Sequence, residues 1–256
     1  MKVALCLSGE LRRAQLFYPI IYKHILEPYS PDVFVSTWDM PPNIPTSVAE
    51  TIRDPLELAS LDEIKEMYEP VAVHTQQYSL EIKKFLKSIA TNGTNTDNIL
   101  CMSYNIMKAN SLSKDREVLT NTVYDIVIRH RFDHVVRNIK LEDYDLTKIN
   151  ILDGHEYGGY NDMFAFGGRD SMDIYSSWFL NLSIIENEYA RETGLPTNLH
   201  ERKYYPWQPE GSLKRFLDKA GATPNIIYND PQGKPMHTHA VFPWEPAEEI
   251  IAKGED

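Results

Sequence analysis

The sequence predicts an α/β domain with a mostly parallel central sheet flanked by helices. Three short, continuous apolar runs, at residues 2–7, 32–38 and 124–129, have the composition of strands that are buried on both faces. Residues with helical spacing separate these runs, and this strand–helix–strand order predicts parallel pairing through right-handed crossovers. At 256 residues, the chain is long enough to bury a large core without covalent cross-links.

The first half of the chain, residues 1 to about 135, alternates strands and helices in a regular order. The first strand breaks at Ser8-Gly9, and the helix at 13–26 leads to the strand at 32–38 and a proline-rich loop at 41–45. Beyond this loop the pattern predicts a helix at 61–68, a strand at 72–75, a helix at 79–90, a surface loop at 91–98, a helix at 101–122 interrupted near Ser113, and the strand at 124–129.

The second half, about residues 136–256, has less regular periodicity and many aromatic residues. It predicts short strands at 149–152, 163–166 and 225–228, and helices at 170–192 and 211–220. No internal repeat or low-complexity segment divides the chain. We therefore expect one domain over residues 1–256, in which the irregular half closes over the regular half.

Composition excludes several classes of protein. Hydrophobic residues make up 42% and charged residues 25% of the chain, and no apolar run approaches the ~18 residues that a membrane-spanning helix needs. The formal charge of −11 at pH 7 disfavours a nucleic-acid partner. The first apolar run is too short for a signal peptide, so we expect a cytoplasmic chain with Cys6 and Cys101 reduced.

Residues 8–13 (SGELRR) follow the first strand, at the edge where open α/β sheets bind ligands. Gly9 lets a phosphate approach the backbone, and Arg12 or Arg13 can neutralise its charge. A glycine turn with two solvated arginines is the structural alternative. Because neither GxGxxG nor GxxxxGK[ST] occurs, the sequence disfavours a Rossmann dinucleotide fold and a P-loop NTPase.

The strand at 124–129 runs directly into a charged segment, so charged groups emerge at the same edge of the sheet. Strand alternation predicts Arg129, Arg131 and Asp133 on one face, with His130 and Phe132 on the other. The first face then offers two cations for phosphate and one carboxylate for a divalent metal. An internal Arg–Asp ion pair explains the same residues without a ligand.

Two other pairs have the residue types that bind metals. Asp143 and Asp145 form a literal Asp-x-Asp, but they lie in a polar stretch and are expected to be part of a solvated turn. His237 and His239 share one face of an extended segment and can complete a metal or phosphate site, although two histidines alone are a weak metal signal.

Residues 158–168 (GGYNDMFAFGG) form the most unusual segment of the chain. Two glycine pairs bracket Asn161-Asp162 and an apolar strand, which places a polar pair at a strand start between flexible turns. A carboxylate held in this way suits a general base, and a plain hairpin is the alternative. Trp207 and Glu210, before the helix at 211–220, form a candidate aromatic and carboxylate patch, with helix capping as the alternative for Glu210.

The chain contains, in order, the segments KVALCLSGELR, DVFVSTWD, YDIVIRHRFD, YNDMFAFGGRDSMDIY and a PE dipeptide followed by a helix. Together they resemble a family of bacterial and viral glycosyltransferases of the GT-A type, which includes the WavE lipopolysaccharide-synthesis group. The resemblance covers residues 2 to about 220 and depends on the order of short motifs. It implies a GT-A-like fold and transfer of a hexosyl or pentosyl group from a nucleotide diphosphate-sugar donor to a glycan acceptor, such as a polysaccharide, a lipopolysaccharide or a glycoprotein glycan.

The resemblance implies a nucleotide-sugar-binding half at about 1–135 and an acceptor half at about 136–256. The candidates are Ser8, Gly9, Arg12, Thr37, Trp38, Arg129 and Arg131 for the donor, Asn161, Trp207 and Glu210 for the acceptor, and Asp162 for the catalytic base. Arg131 and Asp133 stand where other GT-A enzymes have Asp-x-Asp. Asp133 is therefore the candidate ligand for Mn²⁺ or Mg²⁺, together with His237 and His239, while Arg131 can offset diphosphate charge that a cation would otherwise screen.

The expected reaction is direct displacement, in which a carboxylate takes the proton of an acceptor hydroxyl while cations stabilise the departing nucleoside diphosphate. A retaining mechanism is equally compatible with the sequence. Two other interpretations stay open: a non-catalytic nucleotide- or glycan-binding protein on the same fold, and a nucleotide-sugar hydrolase. Charged residues at two separate strand ends favour an enzyme, because binding alone does not require both.

Overall fold

A seven-stranded mixed sheet forms the centre of the computed structural model, which describes residues 1–39, 58–77, 79, 84, 97–154, 158–194 and 209–228. The strands are β1 (Val3–Ser8), β2 (Asp32–Asp39), β3 (Ala72–Gln77), β4 (Ile126–His130), β5 (Asn150–Leu152), β6 (Phe164–Gly167) and β7 (Asn225–Ile227). The helices are α1 (Ala14–Ile21), α2 (Glu27–Tyr29), α3 (Leu61–Tyr68), α4 (Asp97–Thr120), α5 (Arg169–Ser176), α6 (Trp178–Thr193) and α7 (Pro209–Lys219). A π-helical turn at Tyr22–Leu26 joins α1 to α2, and Leu141–Asp143 forms a 3₁₀ turn.

The strand order is β3-β2-β1-β4-β6-β5-β7. All neighbouring pairs are parallel except those of β6, which runs antiparallel to both β4 and β5. The prediction of an α/β fold with a mostly parallel sheet is thus confirmed. The chain moves outward from β1 to β3 and then returns to place β4 on the opposite side of β1. Such a reversal leaves a crevice at the carboxyl ends of the two strands that flank it, here β1 and β4.

Apolar residues cover both faces of the sheet, as expected for strands that are buried on both sides. In β1, Val3, Leu5 and Leu7 pack with residues of α1 and α3, whereas Ala4 and Cys6 pack with residues of α4, α5, α6 and α7. The sheet therefore separates two apolar clusters. This packing fixes the strand ends, so the residues that follow β1 and β4 start from well-defined positions.

The helices differ from the predictions in two places. The predicted interruption near Ser113 is wrong: α4 continues through it, because the Ser113 hydroxyl donates to the Asn110 carbonyl (2.8 Å) inside the helix. The single helix predicted at 170–192 is divided at Ser177 into α5 and α6. The predicted helix at 79–90 and loop at 91–98 fall almost entirely outside the described residues, although α4 already begins at Asp97.

Among the described residues, no helix is both long enough and apolar enough to cross a lipid bilayer.

Candidate functional site

The loop after β1 presents bare backbone at the β1–β4 edge of the sheet. Gly9 has φ +130°, a conformation that side-chain-bearing residues rarely adopt, and the space where a Cβ would stand is open. Its N–H donates to the Ser36 carbonyl (3.2 Å), and its own carbonyl accepts from the Thr37 hydroxyl (2.8 Å). Two bonds to β2 thus hold this glycine in place beside open space, as close approach of a ligand to the backbone requires.

Arg131 and Asp133 form a two-pronged ion pair just beyond the end of β4. Arg131 donates from Nε to Asp133 Oδ1 (2.8 Å) and from Nη2 to Oδ2 (2.7 Å), and its backbone N–H donates to the Met163 carbonyl (3.1 Å). Burial raises the pKa of Asp133, but the Arg131 and Arg12 guanidinium groups and the hydrogen bonds from Arg131 outweigh it, so this pKa lies well below its ordinary value. The carboxylate therefore stays ionised and orients Arg131.

Arg12 joins the β1 loop to the β4 loop. Its Nη2 lies 3.5 Å from Asp133 Oδ2, and its Nε lies 3.1 Å from Glu10 Oε2. The Arg12 side chain remains 33% exposed. Because β1 and β4 are parallel neighbours, with Leu7 opposite His130, the two predicted charged segments meet here as expected.

Arg129 is a third guanidinium at this edge, and it is 1% exposed. Its Nη1 donates to the Met163 carbonyl (2.6 Å), whereas its Nε and Nη2 have no hydrogen-bond partner among the described residues. Burial lowers the pKa of Arg129, and the nearby Tyr175 and Asp162 oppose this effect. Buried donors without partners are rare in native proteins and point to a missing polar neighbour such as water or a ligand.

Two carboxyl groups, those of Asp162 and Glu210, lie near these arginines, and the charge of Asp162 acts on Glu210. Burial, followed by the charge of Asp162, raises the pKa of Glu210 to about 8. Burial also raises the pKa of Asp162, which is 4% exposed, while Arg131 and Arg129 act in the opposite direction. Like charges at one site resist simultaneous ionisation, so near neutral pH the pair holds a proton.

A close backbone contact joins the loop before β6, which carries Asp162, to the first turn of α7, which carries Glu210. The N–H of Tyr160 donates to the Glu210 carbonyl (3.1 Å), and a Cβ on Gly159 would lie only 1.9 Å from that same oxygen. Glycine is therefore required at position 159. The loop that precedes β6, and with it Asp162, is seated directly against the first turn of α7.

The structure therefore brings together Gly9, Arg12, Arg129, Arg131, Asp133, Asp162 and Glu210 from the sequence-predicted site residues. Ser8 is fully buried, and its hydroxyl has no partner among the described residues. Thr37 is buried and supports Gly9 through its hydroxyl. Asn161 is buried, and its Oδ1 accepts the Met163 N–H (2.8 Å), so it shapes the turn before β6.

The side chain of Trp38 is part of the core. It is 5% exposed, stacks on Tyr104 with ring centroids 5.4 Å apart, and donates from Nε1 to the Cys101 carbonyl (3.3 Å). Trp38 lies inside β2, and its side chain packs in the apolar cluster that includes residues of α4. Its contact with a donor stays a prediction.

The predicted face of Arg129, Arg131 and Asp133 also needs correction. β4 ends at His130, so strand alternation applies only to Arg129 and His130 and not to the residues beyond. Arg131 and Asp133 belong to the following loop, and the ion pair considered as the structural alternative is present between them.

The remaining predicted metal and acceptor residues fall elsewhere. Asp143 and Asp145 are exposed, and Asp145 Oδ1 accepts from the N–H and hydroxyl of Thr147 (3.0 and 2.6 Å), as expected for a solvated turn. Trp207, His237 and His239 lie outside the described residues.

Sequence reasoning missed several polar groups at this edge. Tyr175 of α5 is fully buried near Arg129 and Asp162, and His134 is buried with its ring centroid 5.7 Å from that of His130. Burial lowers the pKa of His130 to about 3 and that of His134 well below its usual value, so both imidazoles are neutral. His134 lies three positions after Arg131, and this proximity could have marked it as a site residue in the sequence. No local pattern marks Tyr175.

The chemistry of the available donor atoms decides whether Mn²⁺ or Mg²⁺ fits this site. Across the described ranges, no group of three or more His, Cys, Asp or Glu side chains could hold a metal ion. Both oxygens of Asp133 already accept hydrogen bonds from Arg131, and Arg12 lies beside one of them. A divalent cation on Asp133 would stand next to two guanidinium groups, so these residues do not fit such a metal.

A comparison with models of known protein families finds no match for the chain, and a comparison with curated proteins also finds none.

Proposed function

We propose that this protein is a glycosyltransferase that moves a sugar from a nucleoside-diphosphate donor to a glycan acceptor. One observation carries the proposal: at the crevice between the ends of β1 and β4, the guanidinium groups of Arg12, Arg129 and Arg131 adjoin the segment that holds Asp162 against the first turn of α7 and Glu210. Guanidinium groups bind phosphate oxygens, and carboxyl groups can take the proton of a sugar hydroxyl. Both functions are needed for this reaction, and they meet at one strand edge.

The fold supports the same proposal. Strands β3-β2-β1-β4 have the order in which a nucleotide binds across the switch point of a doubly wound sheet. The antiparallel β6 then brings Asp162, just before its first residue, to the same edge. A mixed sheet of this kind is compatible with a GT-A type fold, which the order of the five sequence motifs implies.

In the proposed mechanism, the donor diphosphate lies against Gly9, Arg12 and Arg131. These groups stabilise the negative charge that develops as the bond between the sugar and the diphosphate breaks. Asp162 accepts the proton of the acceptor hydroxyl as that oxygen attacks the sugar carbon. Glu210, which holds a proton near neutral pH, keeps the two carboxyl groups from carrying two negative charges at once.

A nucleotide-sugar hydrolase is the second candidate, since the same groups can direct a water molecule onto the donor. The open space beside Gly9 and the partly exposed Arg12 favour a site that solvent can enter.

The test is a thermal-shift screen with UDP-, GDP-, dTDP- and CMP-sugars, followed by incubation of the donor that binds with mixed glycan acceptors. We expect one nucleoside-diphosphate sugar to raise the melting temperature, and mass spectrometry to detect an acceptor that is heavier by one sugar residue. Asp162→Asn is the matched control, with donor binding retained and product lost. Donor cleavage that yields only free sugar would support the hydrolase, and binding of no nucleotide would refute the proposed function.

A further inference from the structure

We propose that the donor diphosphate is bound by guanidinium groups centred on Arg131, and that this binding requires no divalent cation. The proposal rests on the proposed function and specifies how its donor is recognised. Three features of the described site support it: the geometry of the Arg131–Asp133 pair, the charge around Asp133, and the unsatisfied donors of Arg129.

The first feature is the edge of Arg131 that Asp133 leaves open. A guanidinium group presents five N–H bonds in a plane, and it can bind one oxyanion along Nε and Nη2 and another along Nη1 and Nη2. Asp133 occupies the first edge, at 2.8 and 2.7 Å. Nη1 makes no hydrogen bond to any described residue, and the Arg131 side chain is 25% exposed. The second edge can therefore take two phosphate oxygens.

Asp133 acts in this arrangement as a positioning residue for Arg131. The carboxylate fixes the plane of the guanidinium group, so little side-chain freedom is lost when a phosphate binds. The backbone N–H of Arg131 also bonds to the Met163 carbonyl (3.1 Å), which ties the arginine to the segment that leads into β6.

The second feature is the balance of charge around Asp133. Arg131 contacts both of its oxygens, and Arg12 Nη2 lies 3.5 Å from Oδ2. A divalent cation at Asp133 would be repelled by both guanidinium groups, although Glu10 Oε2, 3.1 Å from Arg12 Nε, offsets the charge of Arg12. Arg131 thus carries the sign of charge that a bound metal would otherwise supply.

The third feature is Arg129, which is 1% exposed and has two nitrogen atoms without a hydrogen-bond partner in the described part of the chain. A buried cation that is only partly satisfied raises the positive potential at the end of β4. Its charge is felt by Asp162 and by Arg131. The edge therefore holds three guanidinium groups beside the carboxyl groups of Glu10, Asp133 and Asp162, in a protein whose formal charge is −11.

The experiment is calorimetric titration of UDP, GDP, CDP, dTDP and inorganic pyrophosphate into the full chain, in EDTA and again with excess Mn²⁺ or Mg²⁺. We expect at least one nucleoside diphosphate to bind in EDTA, with an affinity within about threefold of that in metal. Arg131→Lys keeps the charge but lacks the second planar edge, so affinity in EDTA should fall by about tenfold or more. The control Arg215→Lys, on α7, should change affinity by less than about twofold.

Asp133→Asn separates the positioning role from a metal-binding role. An amide offers one oxygen in place of two, so we expect affinity in EDTA to fall by about threefold to tenfold, with no dependence on metal before or after the change. Binding that needs Mn²⁺ or Mg²⁺, and that loses this dependence in Asp133→Asn, would overturn the inference while leaving the proposed function intact. Native affinity in Arg131→Lys would also overturn it. If none of the nucleotides and no pyrophosphate bind under either condition, the proposed function itself fails.

Discussion

Two groups of arginine side chains in this protein differ in how their hydrogen bonds are satisfied. Every guanidinium nitrogen of Arg169, at the start of α5, lies within 3.3 Å of a protein oxygen, in hydrogen bonds at Nη1 and Nη2 and in an ion pair without a hydrogen bond at Nε. Nη1 donates to Asn110 Oδ1 (2.9 Å) and Asp173 Oδ1 (3.2 Å), Nη2 donates to Ser113 Oγ (2.9 Å), and Nε lies 3.3 Å from Glu117 Oε1. This Arg169 cluster ties α4 to α5 and leaves nothing for a ligand.

The arginines at the β1–β4 edge are satisfied only in part. Only one of the three guanidinium nitrogen atoms of Arg129 donates a hydrogen bond, and Nη1 of Arg131 has no hydrogen-bond partner among the described residues. Because unpaired buried donors are costly, the two unpaired nitrogen atoms of Arg129 favour a polar neighbour such as water or a ligand at the strand edge, whereas protein oxygens beside every nitrogen of Arg169 favour a structural role. Burial alone would not have separated the two groups.

The largest effect is expected for Asp162→Asn, which preserves the shape of the side chain and removes its basicity. Turnover should fall by about 10²–10⁴-fold, the usual contribution of general-base catalysis, while donor affinity changes by less than about twofold. Release of nucleoside diphosphate in the presence of acceptor measures it. Asp173→Asn, in the Arg169 cluster, is the matched control and should lower stability with little change in turnover. Equal loss of turnover in both variants would contradict the distinction.

The next effect is expected for Arg169→Met, which removes the cation shared by Glu117 and Asp173, although Asp173 keeps Lys114 at 2.8 Å. Removing one partner of a fully buried ion pair typically costs about 3–5 kcal/mol, and about 2–3 kcal/mol is expected for this partly exposed group. The free energy of unfolding from urea denaturation should fall by that amount. Arg131→Met should cost about 1 kcal/mol or less, since Arg131 is partly exposed and Asp133 retains Arg12. If Arg131→Met lowers the free energy of unfolding more than Arg169→Met does, the arginine at the strand edge has the structural role.

A smaller effect is expected for the part of the pH dependence of stability that Glu210 causes. Its pKa is raised to about 8 by burial and by the charge of Asp162. The unfolded chain releases this proton near pH 4.5 and the folded chain near pH 8, so Glu210 lowers stability as the pH rises between these values. Glu210→Gln should match the native protein at pH 4 and exceed its free energy of unfolding by about 2–3 kcal/mol at pH 8, with allowance for partial exposure. No gain at pH 8 would show that Glu210 is not buried with its proton.

The smallest effect has the opposite sign and involves His130. Burial lowers its pKa to about 3, so the unfolded chain gains a proton below pH 6.5 while the folded chain does not. Stability is therefore lost as the pH falls from 6.5 towards 3, by about 2 kcal/mol at pH 5 for His130 alone. His130→Gln should flatten the fall in unfolding free energy between pH 7 and pH 5. An unchanged slope would mean that this imidazole is not buried in its neutral form.

Much of the fold was predictable from sequence because its strands are buried on both faces and therefore appear as continuous apolar runs. The adjacency of residues 8–13 and 129–133 also followed, since parallel neighbours end at the same edge. The ends of strands were harder to predict. Strand alternation was applied as far as residue 133, but β4 ends at His130, so the face on which Arg131 and Asp133 lie did not follow from it.

The coupling of Asp162 to Glu210 and the Arg169 cluster were not predictable from local pattern. The first depends on a backbone contact between Gly159 and Glu210, and the second on the packing of α5 against α4. Both arise from tertiary approach between segments that are distant in sequence. A glycine pair at 158–159 signalled a tight turn but did not specify which helix the turn would meet.

The distinction between satisfied and unsatisfied arginines is tested most directly by measuring stability and donor affinity on the same samples of Arg131→Gln and Ser113→Ala. Ser113→Ala removes one acceptor from Arg169 and should lower the free energy of unfolding by about 1–2 kcal/mol, with nucleoside diphosphate affinity unchanged within about twofold. Arg131→Gln should leave stability within about 1 kcal/mol of native and weaken nucleoside diphosphate binding by about 10–100-fold, the scale of a charge-assisted hydrogen bond. Native affinity in Arg131→Gln, or comparable loss of affinity in Ser113→Ala, would contradict the account.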